Sequence, residues 1–549
     1  MRPDGMSIRS RIWSVRGVFL LVATVVLMPA VCGSEAREAG TVPAATLPAS
    51  YSEPFRPQFH FTPAKNWIND PNGLVYFDGE YHLFFQYNPQ GDKWGHLSWG
   101  HAVSRDLMHW EELPVAIPED DRYMIFSGSA VVDARNTSGF GKPDDVPLVA
   151  IYTGAQRPAG AIQNQQLAYS TDRGRNWTKY AGNPVLDLGL KSFRDPKVFW
   201  YAPNHYWVMA TVLADRHQVA LFSSPDLKQW THLSDFGPAG ATDGAWECPD
   251  LFALPVNGDP ADMRWVLKVD VFRSAVAAGS GTQYFIGRFD GSTFTPDSDP
   301  AFAHIAAPAH WLDYGMDFYA AASWANLPDA RRRHLWIGWM NNPTYAQEIP
   351  TAPWRGAMSL PRELSLRSES GAMTLLQAPV KELTVLRGSH QHLAAMTLHA
   401  MSLRDPPYRI PLPAGFGKAV EIVARFAPRS AQEFGLMVNE GPGEQTLIGY
   451  DKTLRSLFID RSKSGQIPAA AFAVRHSAPL VPRDGLITLH VFVDWSSVEV
   501  FANDGERVMT EQVFAAPASD GILLYAKGGE ASLKSLDVWE LNSTGRAGL

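Results

Sequence analysis

Cysteine is almost absent from this chain: only Cys32 and Cys248 occur in 549 residues. An internal disulfide framework is therefore excluded, and the cores alone must stabilise the protein. Metal-ligand spacings are missing as well, with no CxxC, no HExxH and no EF-hand loop. Neither a GxSxG elbow nor a phosphate-cradling glycine loop occurs. The expectation is a protein with no metal and no cofactor. Positive charge is not in excess either: 48 Lys and Arg stand against 56 Asp and Glu, a net charge of −8 with no long basic run, which argues against a nucleic-acid partner. Sustained helical periodicity is scarce, and the chain's one long apolar run, 18–31, is short for a membrane span. That run follows Arg9, Arg11 and Arg16 and precedes Gly33 and Ser34, the pattern of a secretory signal peptide over 1–33 with a flexible lead-in over 34–54. The protein is thus expected to be secreted, to the cell exterior or a periplasm, without stable membrane insertion. Lipid anchoring through Cys32 is the weaker reading, because Val31 is a poor residue before a lipidated cysteine.

Aromatic residues are plentiful: 18 Trp, 17 Tyr and 28 Phe. Neutral sugars stack on such rings, and so do ordinary cores. With 45% hydrophobic residues the chain is globular, and its length suggests more than one domain. From 59 to 370, short β-branched and aromatic runs are broken by Gly, Pro, Asn and Asp. One motif recurs among them. Ser104-Arg105-Asp106-Leu107-Met108-His109-Trp110 returns as Ser224-Pro225-Asp226-Leu227-Lys228-Gln229-Trp230, with one extra residue at 170–177, and in degenerate form at 289–294. A hairpin motif repeating at this spacing predicts propeller blades. Beyond 395, period-two alternation and the turn Asn503-Asp504-Gly505 predict a β-sandwich. The expected architecture is all-β, with a propeller over 55–375, a linker over 376–395 and a sandwich over 396–545.

Three carboxylates stand out by their stiff surroundings: Asp70 in Trp67-Ile68-Asn69-Asp70-Pro71-Asn72-Gly73, Asp195 in Phe193-Arg194-Asp195-Pro196, and Glu247 in Trp246-Glu247-Cys248-Pro249. Any one Asp beside Pro or Gly is more often a turn residue than a catalyst. Three of them, accompanied by aromatics and one arginine and placed on different predicted blades, can converge at a central channel. Glycoside hydrolysis needs such a set, one acid to protonate the leaving oxygen and one carboxylate to act at the anomeric carbon. Asp70, between the Asn69 and Asn72 amides, suits an ionised role. Glu247, beside Trp246, Cys248 and Pro249, suits a raised pKa. Asp195, next to Arg194, is expected to stay charged.

At these residues the chain resembles the β-fructofuranosidases of glycoside hydrolase family 32, which includes levanases, inulinases and invertases. The likeness runs in order through Phe85-Gln86-Tyr87-Asn88-Pro89, Trp99-Gly100-His101-Ala102, Phe126-Ser127-Gly128-Ser129, Asp313-Tyr314-Gly315 with Asp317-Phe318-Tyr319-Ala320, Gly338-Trp339-Met340-Asn341-Asn342, and Trp354-Arg355-Gly356 through Leu360-Pro361-Arg362-Glu363. The resemblance implies a five-bladed propeller followed by a β-sandwich, with Asp70 as nucleophile, Glu247 as acid/base and Asp195 as transition-state stabiliser. It also implies a fructosyl pocket lined by Asn69, Gln86, Trp94, Phe126, Ser127, Arg194 and Trp339. The segments 126–133, 246–252 and 278–287 are similar to secreted bacterial exo-levanases and exo-inulinases. The expected partner is accordingly a fructan or sucrose. Preference among levan, inulin and sucrose, the balance of hydrolysis against fructosyl transfer, and oligomeric state stay open at this level.

Overall fold

The computed structural model describes residues 52–546 apart from 143–144, 159, 274, 299–308 and 331. The leader expected at 1–33, Cys32 included, and nearly all of the lead-in lie outside the described residues. Among the described residues no helix is long and apolar enough to cross a membrane.

The short β-branched and aromatic runs become antiparallel strands grouped into five blades. The first comprises Asn66–Phe77, Glu80–Asn88, Ser98–Ser104 and Trp110–Ile117; the second Tyr123–Val132, Leu148–Gln156, Gln163–Ser170 and Thr178–Lys179. The third comprises Phe193–Tyr201, Tyr206–Leu213, Gln218–Ser224 and Thr231–Phe236; the fourth Trp246–Val256, Asp259–Val271, Gly281–Phe289 and Phe294–Pro296. Tyr319–Ser323, Leu335–Trp339, Arg362–Glu369 and Ala372–Pro379 make the fifth, which meets the fourth through one parallel pairing, Val256 with Leu366. The ring closes where Ala325 donates to the Leu74 carbonyl and accepts from the Tyr76 N–H, both at 2.9 Å. Trp354–Arg355 adds a parallel strand to the first blade.

The repeated sequence motif is the turn between the third and fourth strands of a blade. Asp106 Oδ1 accepts from the backbone N–H of Met108 and His109, and the Trp110 indole donates to the Leu107 carbonyl. Asp226 does the same with Lys228, Gln229 and Trp230 in the third blade. Asp172 with Trp177, and Asp290 alone, cap the equivalent turns of the second and fourth. An aspartate saturating the turn amides while an indole folds back is a local device, which is why the sequence displays it.

The C-terminal part is a sandwich of two antiparallel sheets. One runs Arg387–Leu393, Ala531–Leu541, Val420–Pro428, Ile487–Asp494, Ser497–Ala502, Arg507–Gln512; the other runs Tyr408–Arg409, Gly521–Lys527, Glu433–Gly441, Glu444–Asp451, Ser456–Lys463, Arg475–Pro479. Alternate residues such as Val420, Ile422, Ala424 and Phe426 face Phe434, Leu436 and Val438 in its core. The linker expected over 376–395 is not a free connection. Ala372–Pro379 completes the fifth blade, Lys381–Leu386 is a 3₁₀ turn burying Leu383 and Leu386, and Arg387–Leu393 already belongs to the sandwich. Leucines three apart plug the seam between the two domains, and Arg387 pairs with both oxygens of Glu421 at 2.7 Å.

That seam is also ionic. Arg362, at the start of its strand, meets Asp313 at 3.1 Å, Glu499 at 2.8 Å and Thr510 at 2.7 Å, with Phe318 beneath its guanidinium. His60 bridges Asp494 and Glu499 at 2.8 and 3.0 Å. Arg461 holds Asp317 at 2.6 Å and Glu511 at 2.9 Å, and Tyr345 caps the other oxygen of Asp317. Much of the family-like sequence at 313–320 and 354–364 therefore belongs to the seam.

Candidate active site

The innermost strand of every blade carries a bulge at the same level. In the first, Asn69 and Asp70 together face Gln86, because Ile68 pairs Tyr87 and Pro71 pairs Phe85. Phe126 and Ser127 face Thr153 in the second, Asp195 and Pro196 face Thr211 in the third, Cys248 and Pro249 face Val269 in the fourth, and Ala320 and Ala321 face Gly338 in the fifth. A bulge breaks the ladder where proline could not donate to it, and it re-aims the neighbouring side chains. Asp195, Cys248 and Ala320 take φ of 63°, 43° and 54° there, left-handed backbone that non-glycine residues adopt when the surroundings over-determine it.

The stretch around Asp70 reads differently in three dimensions than in one. Asp70, for all its turn-forming neighbours, lies inside the strand Asn66–Phe77. Gly73 marks a second irregularity of that strand, at φ +56°, where a Cβ would come within 2.6 Å of Phe84 and 2.8 Å of Trp99. Glycine is needed there to let two core rings approach the backbone.

Bulge residues of the first three blades, Asn69, Asp70, Phe126, Ser127 and Asp195, with Glu247 and Tyr319 just before the fourth and fifth bulges, form the floor of a pocket of about 420 Å³, a size typical of small-molecule sites. All ten residues singled out from sequence line it: Asn69, Asp70, Gln86, Trp94, Phe126, Ser127, Arg194, Asp195, Glu247 and Trp339. Asp70 Oδ2 accepts from Ser127 Oγ at 2.6 Å and Oδ1 from Asn69 Nδ2 at 2.9 Å, while the Trp67 indole fixes Asn69 at 2.8 Å. The Asn72 amide donates to the Asp70 backbone carbonyl instead of its carboxylate. Asp195 Oδ2 accepts from the Cys248 N–H at 2.9 Å, and the Thr153 hydroxyl accepts the Asp195 N–H at 2.8 Å. Gln86 spans to the Ile125 carbonyl at 3.0 Å, tying the first blade to the second.

Arg194 does not serve its sequence neighbour first. Its Nη2 donates to Glu247 Oε1 at 3.0 Å, whereas its Nε stands 3.8 Å from Asp195. Tyr319 donates to the second Glu247 oxygen at 2.5 Å. Glu247 therefore sits between a cation and a phenol, not among the weakly polar neighbours its sequence suggested. Burial pushes the Asp195 carboxyl up to about 7, against the pull of Arg194 and with the push of Glu247. Burial likewise raises Asp70, which Ser127 and Asn69 oppose and Glu247 reinforces. Adjacency to Arg194 thus does not hold Asp195 in the usual carboxylate range, because desolvation and two like charges outweigh one shared cation. The Cys248 thiol lies 3.7 Å from Asp70 Oδ2 and 3.6 Å from Asp195 Oδ2, and burial holds it well above its ordinary range, so it is no nucleophile.

Sequence reasoning did not pick out Tyr319, Gln163, Leu97, Phe272, Arg273, Pro343 and Gln347 as lining residues, although they share the pocket. For Tyr319 a signal existed: it occupies, on the fifth inner strand, the place before the bulge that Arg194 and Glu247 occupy on the third and fourth. Trp94, 45% exposed, stands edge-on to Phe126 at the mouth. No group of three or more His, Cys, Asp or Glu arranged to hold a metal occurs among the described residues.

An all-β propeller with carboxylates on its axial floor and aromatic walls is the frame of a glycoside hydrolase, and this chain is one. It belongs to glycosyl hydrolase family 32: the family's N-terminal domain matches residues 60–379 and its C-terminal domain 384–540. A levanase of Bacillus subtilis (strain 168) is 48% identical over 497 residues, covering 89% of this chain and 71% of that protein. The crystal structure of an exo-inulinase from Aspergillus awamori superposes with a TM-score of 0.83 at 39% identity, covering 90% of this chain and 100% of that one. The β-fructofuranosidase of Schwanniomyces occidentalis, solved with fructosyl-erythritol, superposes with a TM-score of 0.77 at 33% identity, over 90% and 99%.

Proposed function

We propose that this protein is a secreted, retaining exo-β-fructosidase that releases terminal β-D-fructofuranosyl units from levan or inulin and also cleaves sucrose. The observation that carries the reading is the convergence of Asp70, Asp195 and Glu247, from three inner strands, on the floor of one aromatic-walled pocket. The likeness to a levanase and an exo-inulinase supports fructans as the substrate class.

In this reading Glu247, oriented by Arg194 and Tyr319, gives its proton to the glycosidic oxygen while Asp70 attacks the anomeric carbon. A fructosyl–Asp70 ester forms and the leaving group departs with the proton. Glu247, now a carboxylate, takes a proton from water, whose oxygen displaces Asp70, and two inversions give net retention. Ser127 and Asn69 hold the Asp70 oxygens in line. Asp195 accepts sugar hydroxyls and faces the positive charge that develops on the ring. Asn69, Gln86, Arg194 and Trp339 complete the fructosyl site, with Trp94 and Phe126 at its rim.

A pocket that seats one chain end predicts attack from the terminus. Chromatography of early digests of levan, inulin and sucrose is the test. Free fructose from the first minutes, with a slow fall in polymer size, is expected. Early short fructo-oligosaccharides would overturn the exo reading, and turnover of sucrose alone would make the protein an invertase.

A further inference from the structure

Beneath the catalytic floor, on the propeller axis, lies a second set of charged groups. Lys197 is two residues beyond Asp195 on the third inner strand, Asp250 two residues beyond Cys248 on the fourth, and Ser323 ends the fifth. The Lys197 ammonium donates to Asp250 Oδ2 at 3.0 Å, to the Ser323 carbonyl at 2.8 Å and to the Ser323 hydroxyl at 2.7 Å, using its three protons. Asp250 Oδ2 also accepts the Ser323 N–H at 2.9 Å. These groups border an axial cavity of about 30 Å³ whose lining includes Ser127, Asp195 and Cys248. They lie outside the substrate pocket, yet they share a wall with it. Burying such an ion pair is costly without a structural return.

We propose that Lys197 and Asp250 are positioning residues: a charge-balanced pin across three blades that fixes the bulges carrying Asp195 and Cys248 and sets one buried charge against the other beneath the floor. The inference rests on the reading of the pocket as the fructosidase site. The pin reaches chemistry through the backbone, since Lys197 anchors the segment that presents Asp195, and Asp250 anchors the segment whose Cys248 N–H binds Asp195 Oδ2. It reaches chemistry through charge as well, because Asp70 and Asp195 sit in low-dielectric surroundings where an unbalanced charge is poorly screened. Asp70, Glu247, Arg194 and Cys248 surround Asp195, and Lys268, Asp270 and His334 stand near the pin.

Lys197→Met leaves a carboxylate under the floor, and the acid limb of kcat/KM should move up by about half to one pH unit; Asp250→Asn leaves a cation and should move it down by a similar amount. The double variant Lys197→Met/Asp250→Asn should restore the limb to its wild-type position while kcat stays about tenfold low and KM within about twofold. Sucrose hydrolysis across pH, with a melting curve on each sample, reads all of this. Single variants that fold but move the limb in one common direction, or not at all, overturn the pin. Where a single variant does not fold, the double variant decides, and wild-type kcat or a change confined to KM overturns it. Wild-type hydrolysis beside unshifted variants removes this inference alone; a wild type without fructosidase activity removes both it and the reading on which it rests.

Discussion

The pocket floor and the propeller–sandwich seam both bury carboxylates, but only the seam answers them with cations in number. At the seam Arg362, Arg461, His60 and His476 share Asp313, Asp317, Asp494, Glu499 and Glu511. Glu499 and Glu511 are held below the usual carboxylate range against burial, by His60 and Arg362 in one case and Arg461 and His476 in the other. Burial still keeps Asp313 and Asp317 above it despite their arginines. At the floor, three acids share Arg194, and Asp195 and Asp70 are driven upward. In the reading proposed above, the same residue type is thus an adhesive where cations gather round it and a reagent where they do not. An active site stores destabilisation that the rest of the fold must carry.

The largest effect expected from breaking this contrast is on turnover. Asp70→Ala and Glu247→Ala should each lose about 10²–10⁴-fold or more in kcat with melting temperatures at or above wild type. A folded variant that keeps a tenth of the activity would remove that residue from its role. Arg362→Met is the converse. It strands Asp313 and Glu499 and should cost about 3–5 kcal/mol of stability, measured by denaturant titration, with turnover per folded molecule near wild type. Loss of turnover at full stability would show that the seam is part of the catalytic apparatus.

Asp195→Asn sharpens the comparison through pH. A carboxyl whose folded pKa is raised favours the folded state most below its unfolded value, near 4, and that advantage disappears as pH rises through about 7. Removing the charge should therefore stabilise the protein more at pH 8 than at pH 4, by about 1–3 kcal/mol, while abolishing most activity. Equal changes at both pH values would place Asp195 in a well-compensated site. The seam supplies the matching, smaller test. Burial opposes the charge on His60, but hydrogen bonds and charge from Asp494 and Glu499 win and push it to about 9. Its contribution is complete below about 6.5 and is lost as pH rises through 9. Wild-type melting temperature should decline across that window, and His60→Gln should flatten the decline. An unchanged slope in the variant would assign it to another group.

The chain by itself determined the local devices. The Ser-x-Asp turns with their trailing tryptophans are self-contained hydrogen-bond sets, so Asp106, Asp226 and Asp172 announce blades before any blade is seen. Asp70, Asp195 and Glu247 were legible for the same reason, since proline-flanked acids report stiff backbone over a few residues. What those acids feel was decided in three dimensions. Arg194 abuts Asp195 in sequence yet donates to Glu247, fifty-three positions on, because a left-handed bulge turns its guanidinium across the floor. Tyr319 reaches Glu247 only because the fifth blade returns beside the fourth. The fate of Asp313, Asp317 and Arg362 as seam residues, and of residues 376–395 as packed structure, depended on the sandwich closing against the propeller. Hydrogen-bonded turns are written within a few residues, whereas desolvation and charge pairing are summed over every neighbour that folding brings near.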